Sequence, residues 1–165
     1  MDDTRQLLQL LLQHHVECVL VGGYAAVMHG SPTVTSDLDV CFHFHPENIR
    51  KLFKALEGVN PCMRAGSGMI SLFEYKAERL AQLNNLYMKT DLGQLDLLGS
   101  LAGIGSYDEV KKHFIEVTIF GLPCPVLDID SLIKTKKEVG RPKDLQVVLE
   151  LEVIREKITS GSTSS

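Results

Sequence analysis

Two apolar runs with unusual ends constrain this chain more than anything else in it. The first, Val19-Leu20-Val21, stops at the doubled glycine Gly22-Gly23. The second opens with Asp37-Leu38-Asp39 and runs on through Val40. A small-residue stretch from Tyr24 to His29 and a Gly30-Ser31-Pro32 loop join them. The pattern predicts a buried strand over 17–21, a short helix over 24–29, a loop over 30–36 and a second strand over 37–44. Side chains alternate across a strand, so Asp37 and Asp39 share a face with their roots about 6.5 Å apart. Like charges that close repel, so either one carboxyl stays protonated or a cation sits between them. Carboxylate oxygens suit a divalent magnesium-type ion. Doubled glycines allow close backbone approach, and the helix that follows offers free N–H groups to a phosphate.

The rest of the chain reads as alternating helices and strands. Thr4 to His15 forms a leucine-rich helix capped by Asp3 or Thr4. Pro46 to Leu56 forms another, with His45 ahead of it and Gly58 behind. Residues 59–82 carry little pattern beyond a loop and strand around Met69 to Phe73. Leu86 to Thr90 and Gln94 to Leu98 form a hairpin over Asp91-Leu92-Gly93, read as a three-residue loop because Leu92 disfavours positive φ. Tyr107 to Phe114 reads as a short helix, and Ile115 to Phe120 and Cys124 to Val126 as strands around Gly121-Leu122-Pro123. Asp128 or Asp130 caps a helix ending at Gly140, and Pro142 opens the last one, to about Lys157. This describes an α/β (α+β) chain, a mixed sheet with helices mainly on one face, as a single domain over 1–159 with a disordered tail over 160–165.

At 165 residues with 44% apolar composition, the chain can bury a core of its own. No apolar run is long enough to span a membrane, and the start lacks the basic residues of a signal peptide, so a cytoplasmic location is expected. The four cysteines form no Cys-x-x-Cys pair and read as reduced core or half-buried thiols. A net charge of −4 argues against a general nucleic-acid coat. Yet between Lys134 and Asp144 five basic residues stand against two acidic ones, a patch suited to a triphosphate or one end of an RNA.

The Gly-Gly turn with Asp-x-Asp resembles the polymerase-beta-like nucleotidyltransferase superfamily, in particular its small single-domain prokaryotic members. Three later pieces extend the resemblance over roughly 17–149: Thr90-Asp91-Leu92-Gly93-Gln94-Leu95-Asp96-Leu97-Leu98, Gly121-Leu122-Pro123 and Gly140-Arg141-Pro142-Lys143-Asp144. It implies transfer of a nucleoside monophosphate from an NTP such as ATP to a hydroxyl of RNA, protein or a small molecule, with Mg2+ (or Mn2+) as cofactor. It places Asp37, Asp39 and Asp96 as metal ligands and catalytic residues, with Asp96 as base. It also places Gly22, Gly23 and Ser36 around the nucleotide, and Lys134 or Lys137 on its phosphates.

Relatives occur in toxin–antitoxin or phage-defence pairs, which implies a small helical partner protein. Other readings stand beside these. The fold can serve as a non-catalytic nucleotide-binding or antitoxin-like module, or the acidic cluster can bind only a structural cation. Asp96 can pair with Lys89 across the hairpin if the turn has two residues, whereas Met88 faces it if the turn is longer. Asp91 reads as a turn residue and Asp144 as a helix cap. His43 and His45 share the face of the aspartates but lie toward Pro46, beyond reach of one ion, and His29 abuts the loop. Where relatives carry a loop arginine this chain has Thr33 or Val34, a loss that weakens binding of triphosphate or acceptor.

Overall fold

The computed structural model describes residues 3–65 and 68–163. In chain order the elements are α1 (Thr4–Gln13), β1 (Cys18–Leu20), α2 (Gly22–Met28), β2 (Leu38–Phe42), α3 (Pro46–Ala55), β3 (Cys62–Ala65) and β4 (Gly68–Ser71). After a 3-10 turn over Leu72–Glu74 come α4 (Ala77–Leu80), β5 (Asn85–Thr90), β6 (Gly93–Leu98), β7 (Ser100–Leu101), β8 (Gly105–Ser106) and α5 (Tyr107–Val110). The chain closes with β9 (Phe114–Ile119), β10 (Leu122–Leu127), α6 (Ile129–Val139) and α7 (Pro142–Thr163).

Eight strands form one mixed sheet in the order β4-β3-β5-β6-β2-β1-β10-β9, with β7 and β8 as a separate pair. Two neighbours are parallel, β2 with β6 and β1 with β10, and the rest are antiparallel. Alternation gives the central strands an apolar face: Leu38, Val40 and Phe42 on β2 and Leu95 and Leu97 on β6 are all fully buried. Helix α1 lies across β2, β6 and β10 and sets Leu7, Leu8 and Leu11 into that core. Helix α3 packs beside α1, and α2 lies between β2 and α6, which in turn packs on α7. The α/β mixed sheet is thus the one the residue pattern implies. Among the described residues no helix is long and apolar enough to cross a membrane. The buried thiols of Cys18, Cys41 and Cys124 are free, as expected of core cysteines, and burial pushes Cys41 up to about 12.

Several boundaries differ from the pattern-based reading. The hairpin turn has two residues, Asp91 and Leu92, because Thr90 pairs with Gly93. The Thr90 hydroxyl explains this: it donates to the Gly93 carbonyl at 2.9 Å and accepts from the Leu92 amide at 3.0 Å. Positive φ then falls on Gly93 and spares Leu92. The β9–β10 turn sits at Phe120-Gly121, both left-handed, so Pro123 lies inside β10 opposite Thr118. Helix α5 stops at Val110, and Phe114 already belongs to β9. The expected tail from 160 is helical through Thr163, while Ser164 and Ser165 lie outside the described residues.

Asn48 of α3 ties two strand ends together. Its carbonyl accepts from the Glu17 amide at 2.7 Å, and its NH2 group donates to the carbonyls of Glu17 and His43, both at 2.9 Å. The residue is 1% exposed, so water cannot replace these bonds. Asn48→Ala should therefore cost on the order of 3 kcal/mol. A shift of the urea midpoint checks this, and a neutral outcome would show that the clamp is dispensable.

Candidate active site

The parallel register of β2 with β6 places Asp39 directly beside Asp96. Asp37 precedes β2 and adds a third charge. The consequences are visible in how these groups titrate. Burial, the charges of Asp96 and Asp37, and a hydrogen bond to Asp96 together push the Asp39 carboxyl up to about 7. Burial also lifts Asp96, with Asp37 adding to the rise while Arg64 pulls the other way. The Arg64 Nη2 donates to Asp96 Oδ1 at 2.7 Å. Neither expected partner faces Asp96 across the hairpin: Tyr87 stands opposite it, and Lys89 stands opposite Gln94.

The doubled glycine makes room for this arrangement. Gly22 has φ +65°, and a Cβ there would lie 2.5 Å from Asp39 Oδ2. A Cβ on Gly23 would lie 2.6 Å from Thr35 Oγ1. The steric demand for both glycines therefore comes from the protein's own aspartate and loop. Ser36 Oγ donates to Asp37 Oδ1 at 3.4 Å, and the Ser36 carbonyl accepts from Thr4 Oγ1 at 3.1 Å. The loop's other end is held by α7, where Glu150 accepts from Ser31 at 2.8 Å and from Thr33 at 3.0 Å.

A cleft of about 360 Å³ opens beside Asp37 and Asp39, and Gly22, Gly23 and Ser36 border it. Asp96 is not part of its wall and lies one strand further along the sheet. Across the cleft stand Lys136, Arg141, Lys143 and Asp144. The two lysines expected there are elsewhere. Lys134 borders a separate pocket with His113 and Asp130, and Lys137 pairs with Glu152 of α7 at 3.4 Å. Lys136 takes their place because the face of α6 that lines the cleft carries Leu132, Thr135, Lys136 and Val139. A lysine interrupting an apolar stripe was the signal for it.

Burial lowers the pKa of Lys136, although Asp144 at 3.8 Å and the charge of Asp39 favour its protonated form. Burial works to raise Asp144, but its hydrogen bond from Arg141 Nε at 2.6 Å and the two cations leave it below the usual carboxylate range. Asp144 is thus a buried anchor for two cleft cations as well as a first-turn acid of α7.

The histidines serve the framework. His29 Nε2 contacts the Leu127 carbonyl at 2.8 Å, His45 caps α3, and His43 stacks on Tyr107 beside Glu17. Asp91 accepts from Asn60 at 2.7 Å at the hairpin turn. Among the described residues no three His, Cys, Asp or Glu side chains are gathered around a single metal position. The oxygen-only donor set of Asp37 and Asp39 still fits a hard divalent ion, since magnesium commonly takes one or two carboxylates and completes its shell from substrate phosphates.

No protein-family model matches the sequence, and no curated protein matches it. Solved structures do. The lincosamide antibiotic adenylyltransferase LnuA, with lincomycin bound, superposes with a TM-score of 0.62 at 14% identity, covering 92% of this chain and 96% of that one. ANT(2")-Ia in complex with adenylyl-2"-tobramycin gives 0.54 at 14% identity, covering 96% of each chain. A protein from Thermotoga maritima assigned to the nucleotidyltransferases gives 0.51 at 16% identity, over 95% and 91%. The chain has the nucleotidyltransferase fold.

The Asp39 shift has a measurable consequence for stability. Its carboxyl titrates near 3.8 in the unfolded chain and at about 7 when folded, so between those values the folded state holds the extra proton. Stability is therefore lost as pH rises through this window, and the loss is complete above it. Asp39→Asn removes the titration. Relative to the parent, the variant should gain stability between pH 4.5 and pH 8 in a chelator, measured by urea unfolding. A difference that does not change with pH would contradict the assignment.

Proposed function

We propose that this protein transfers a nucleoside monophosphate from a nucleoside triphosphate to an acceptor hydroxyl and releases pyrophosphate. The side-by-side placement of Asp39 and Asp96 carries the reading. Holding coupled carboxylates at raised pKa costs the folded chain stability, and functional sites are where such groups gather. Asp37 and Asp39 would hold a Mg2+ (or Mn2+) ion, and Asp96 would complete the set where Arg64 yields. Such an ion, when bound, offsets the charge that gathers on phosphate oxygens.

The chain's own residues supply the rest. Lys136, Arg141 and Lys143 line the same cleft as the aspartates and suit the β- and γ-phosphates. Gly22, Gly23 and Ser36 border the same space. The acceptor oxygen bonds to the α-phosphorus as its proton passes to the Asp96 carboxylate. The bond from the α-phosphorus to the bridging oxygen breaks, and that electron pair leaves on pyrophosphate beside Lys136. In place of a loop arginine, Thr33 ties the loop to Glu150, so the cleft's positive charge comes from α6, α7 and Arg141 between them.

A second reading, a nucleotide-binding module without turnover, draws on the Arg64–Asp96 pair, which occupies the carboxylate proposed as base. The neighbours' ligands, lincomycin and adenylyl-2"-tobramycin, make hydroxyl-bearing small molecules the first acceptors to try, ahead of RNA and protein.

Incubation with α-labelled triphosphates, magnesium and acceptor pools tests both readings. Transferred label should appear, vanish with chelator, and fall by about a hundredfold or more in Asp37→Asn. Lys136→Met should raise KM for the triphosphate far more than Lys137→Met does. Tight triphosphate binding with no transfer to any acceptor class would favour the second reading.

A further inference from the structure

The carboxylates have a second approach, on the side away from Lys136. Strand alternation sets Asp96 on the same face as Tyr87, directly opposite on β5, and as Lys89 two residues further along. Lys89 pairs in turn with Cys62 of β3, which puts Arg64 on that face as well. The result is a row across four strands: Asp39 on β2, Asp96 on β6, Tyr87 on β5 and Arg64 on β3. At about 4.8 Å per strand it extends roughly 14 Å from the cleft. The Arg64 guanidinium lies 5.7 Å from the centroid of the Tyr87 ring, and that residue is 43% exposed. Lys89 is exposed too. None of these three residues lines the triphosphate cleft.

We infer that Arg64, Tyr87 and Lys89 form the acceptor subsite, and that it selects a small hydroxyl compound bearing an anionic group, phosphate or carboxylate. The inference rests on the nucleotidyl-transfer reading for the word acceptor. Its physical basis is charge and shape on this face. Arg64 commits Nη2 to Asp96, and a guanidinium carries five N–H donors, so others remain for a second oxyanion. A hydroxyl that approaches Asp96 competes with Arg64 for its oxygens. An anion on the same molecule satisfies the displaced donors, whereas an ammonium group meets Arg64 and Lys89 with like charge. Asp91, at the end of this hairpin, is already engaged by Asn60, and Gln94 is neutral. The exposed Tyr87 ring offers a flat surface to a sugar or aromatic ring.

The test uses the full chain with a non-hydrolysable triphosphate and magnesium present, so that added phosphate does not report on the cleft. Glucose 6-phosphate, glucuronate, glucose and glucosamine are titrated by NMR, with the Tyr87 ring signals followed. The two anionic sugars should bind about tenfold more tightly than glucose, glucosamine should bind weakest, and the Tyr87 signals should shift. Lys89→Gln should reduce the preference for the anions without changing triphosphate affinity, Arg64→Gln should reduce the preference too, and Arg64→Lys should restore part of it. Equal affinity across the series, preference for glucosamine, or a preference unchanged in both variants would overturn the proposal. Failure of the triphosphate itself to bind is read separately and counts against the nucleotidyl-transfer reading, while the sugar series still reports on this face.

Discussion

Parallel pairing of β2 with β6 is the constraint from which the site follows. It fixes Asp39 against Asp96 with no freedom to separate, because Leu38, Val40, Leu95 and Leu97 anchor the opposite faces of the same strands in the core. A one-residue slip of either strand would turn its carboxyl inward and its apolar side chains outward, at a cost the core could not absorb. Hydrophobic burial thereby forces two acids into mutual repulsion. The folded chain carries that strain as a raised Asp39 pKa, held at about 7 mainly by burial.

Around this pair the chain builds two unlike surroundings. On the β1 side, Gly22 admits the Asp39 carboxyl to within a distance that any side chain would forbid, and the cations of α6 and α7 face it across the cleft. Asp144 keeps those cations in place while itself almost completely buried. On the β5 side, Arg64 reaches over Tyr87 to Asp96 from a strand near the sheet edge. Charge of opposite sign therefore approaches the acids from two directions. The loop between the two motifs is bonded at both ends, to Glu150 and to Thr4, and so holds Asp37 at the mouth of the cleft.

The most legible features were those where the chemistry leaves few choices. The glycine pair and the Asp-x-Asp motif read directly, because few other residues meet those demands, although the glycines open α2 itself and Asp37 precedes β2. Asp96 was legible through alternation along its strand together with the family resemblance, yet its partner was not. Arg64 lies in the poorly patterned stretch before the hairpin, and only the β3–β5 pairing brings it near. The hairpin register was misjudged because a threonine side chain, and not the backbone alone, closes the turn. Lys136 was one of the five basic residues of the patch but was not singled out, because a run of lysines looks like a solvated face and the choice among them depends on how α6 rolls against α7. Polar side chains that terminate or brace elements, such as Asn48, carry no periodic signature at all.

Anomalous diffraction from crystals grown with manganese and a non-hydrolysable triphosphate tests the central claim most directly. The account predicts a manganese peak against the carboxylates of Asp37 and Asp39, the phosphate tail toward Lys136, and the α-phosphorus on the side of Asp96. A triphosphate ordered with no metal at those aspartates, or seated instead beside Lys134, would contradict it.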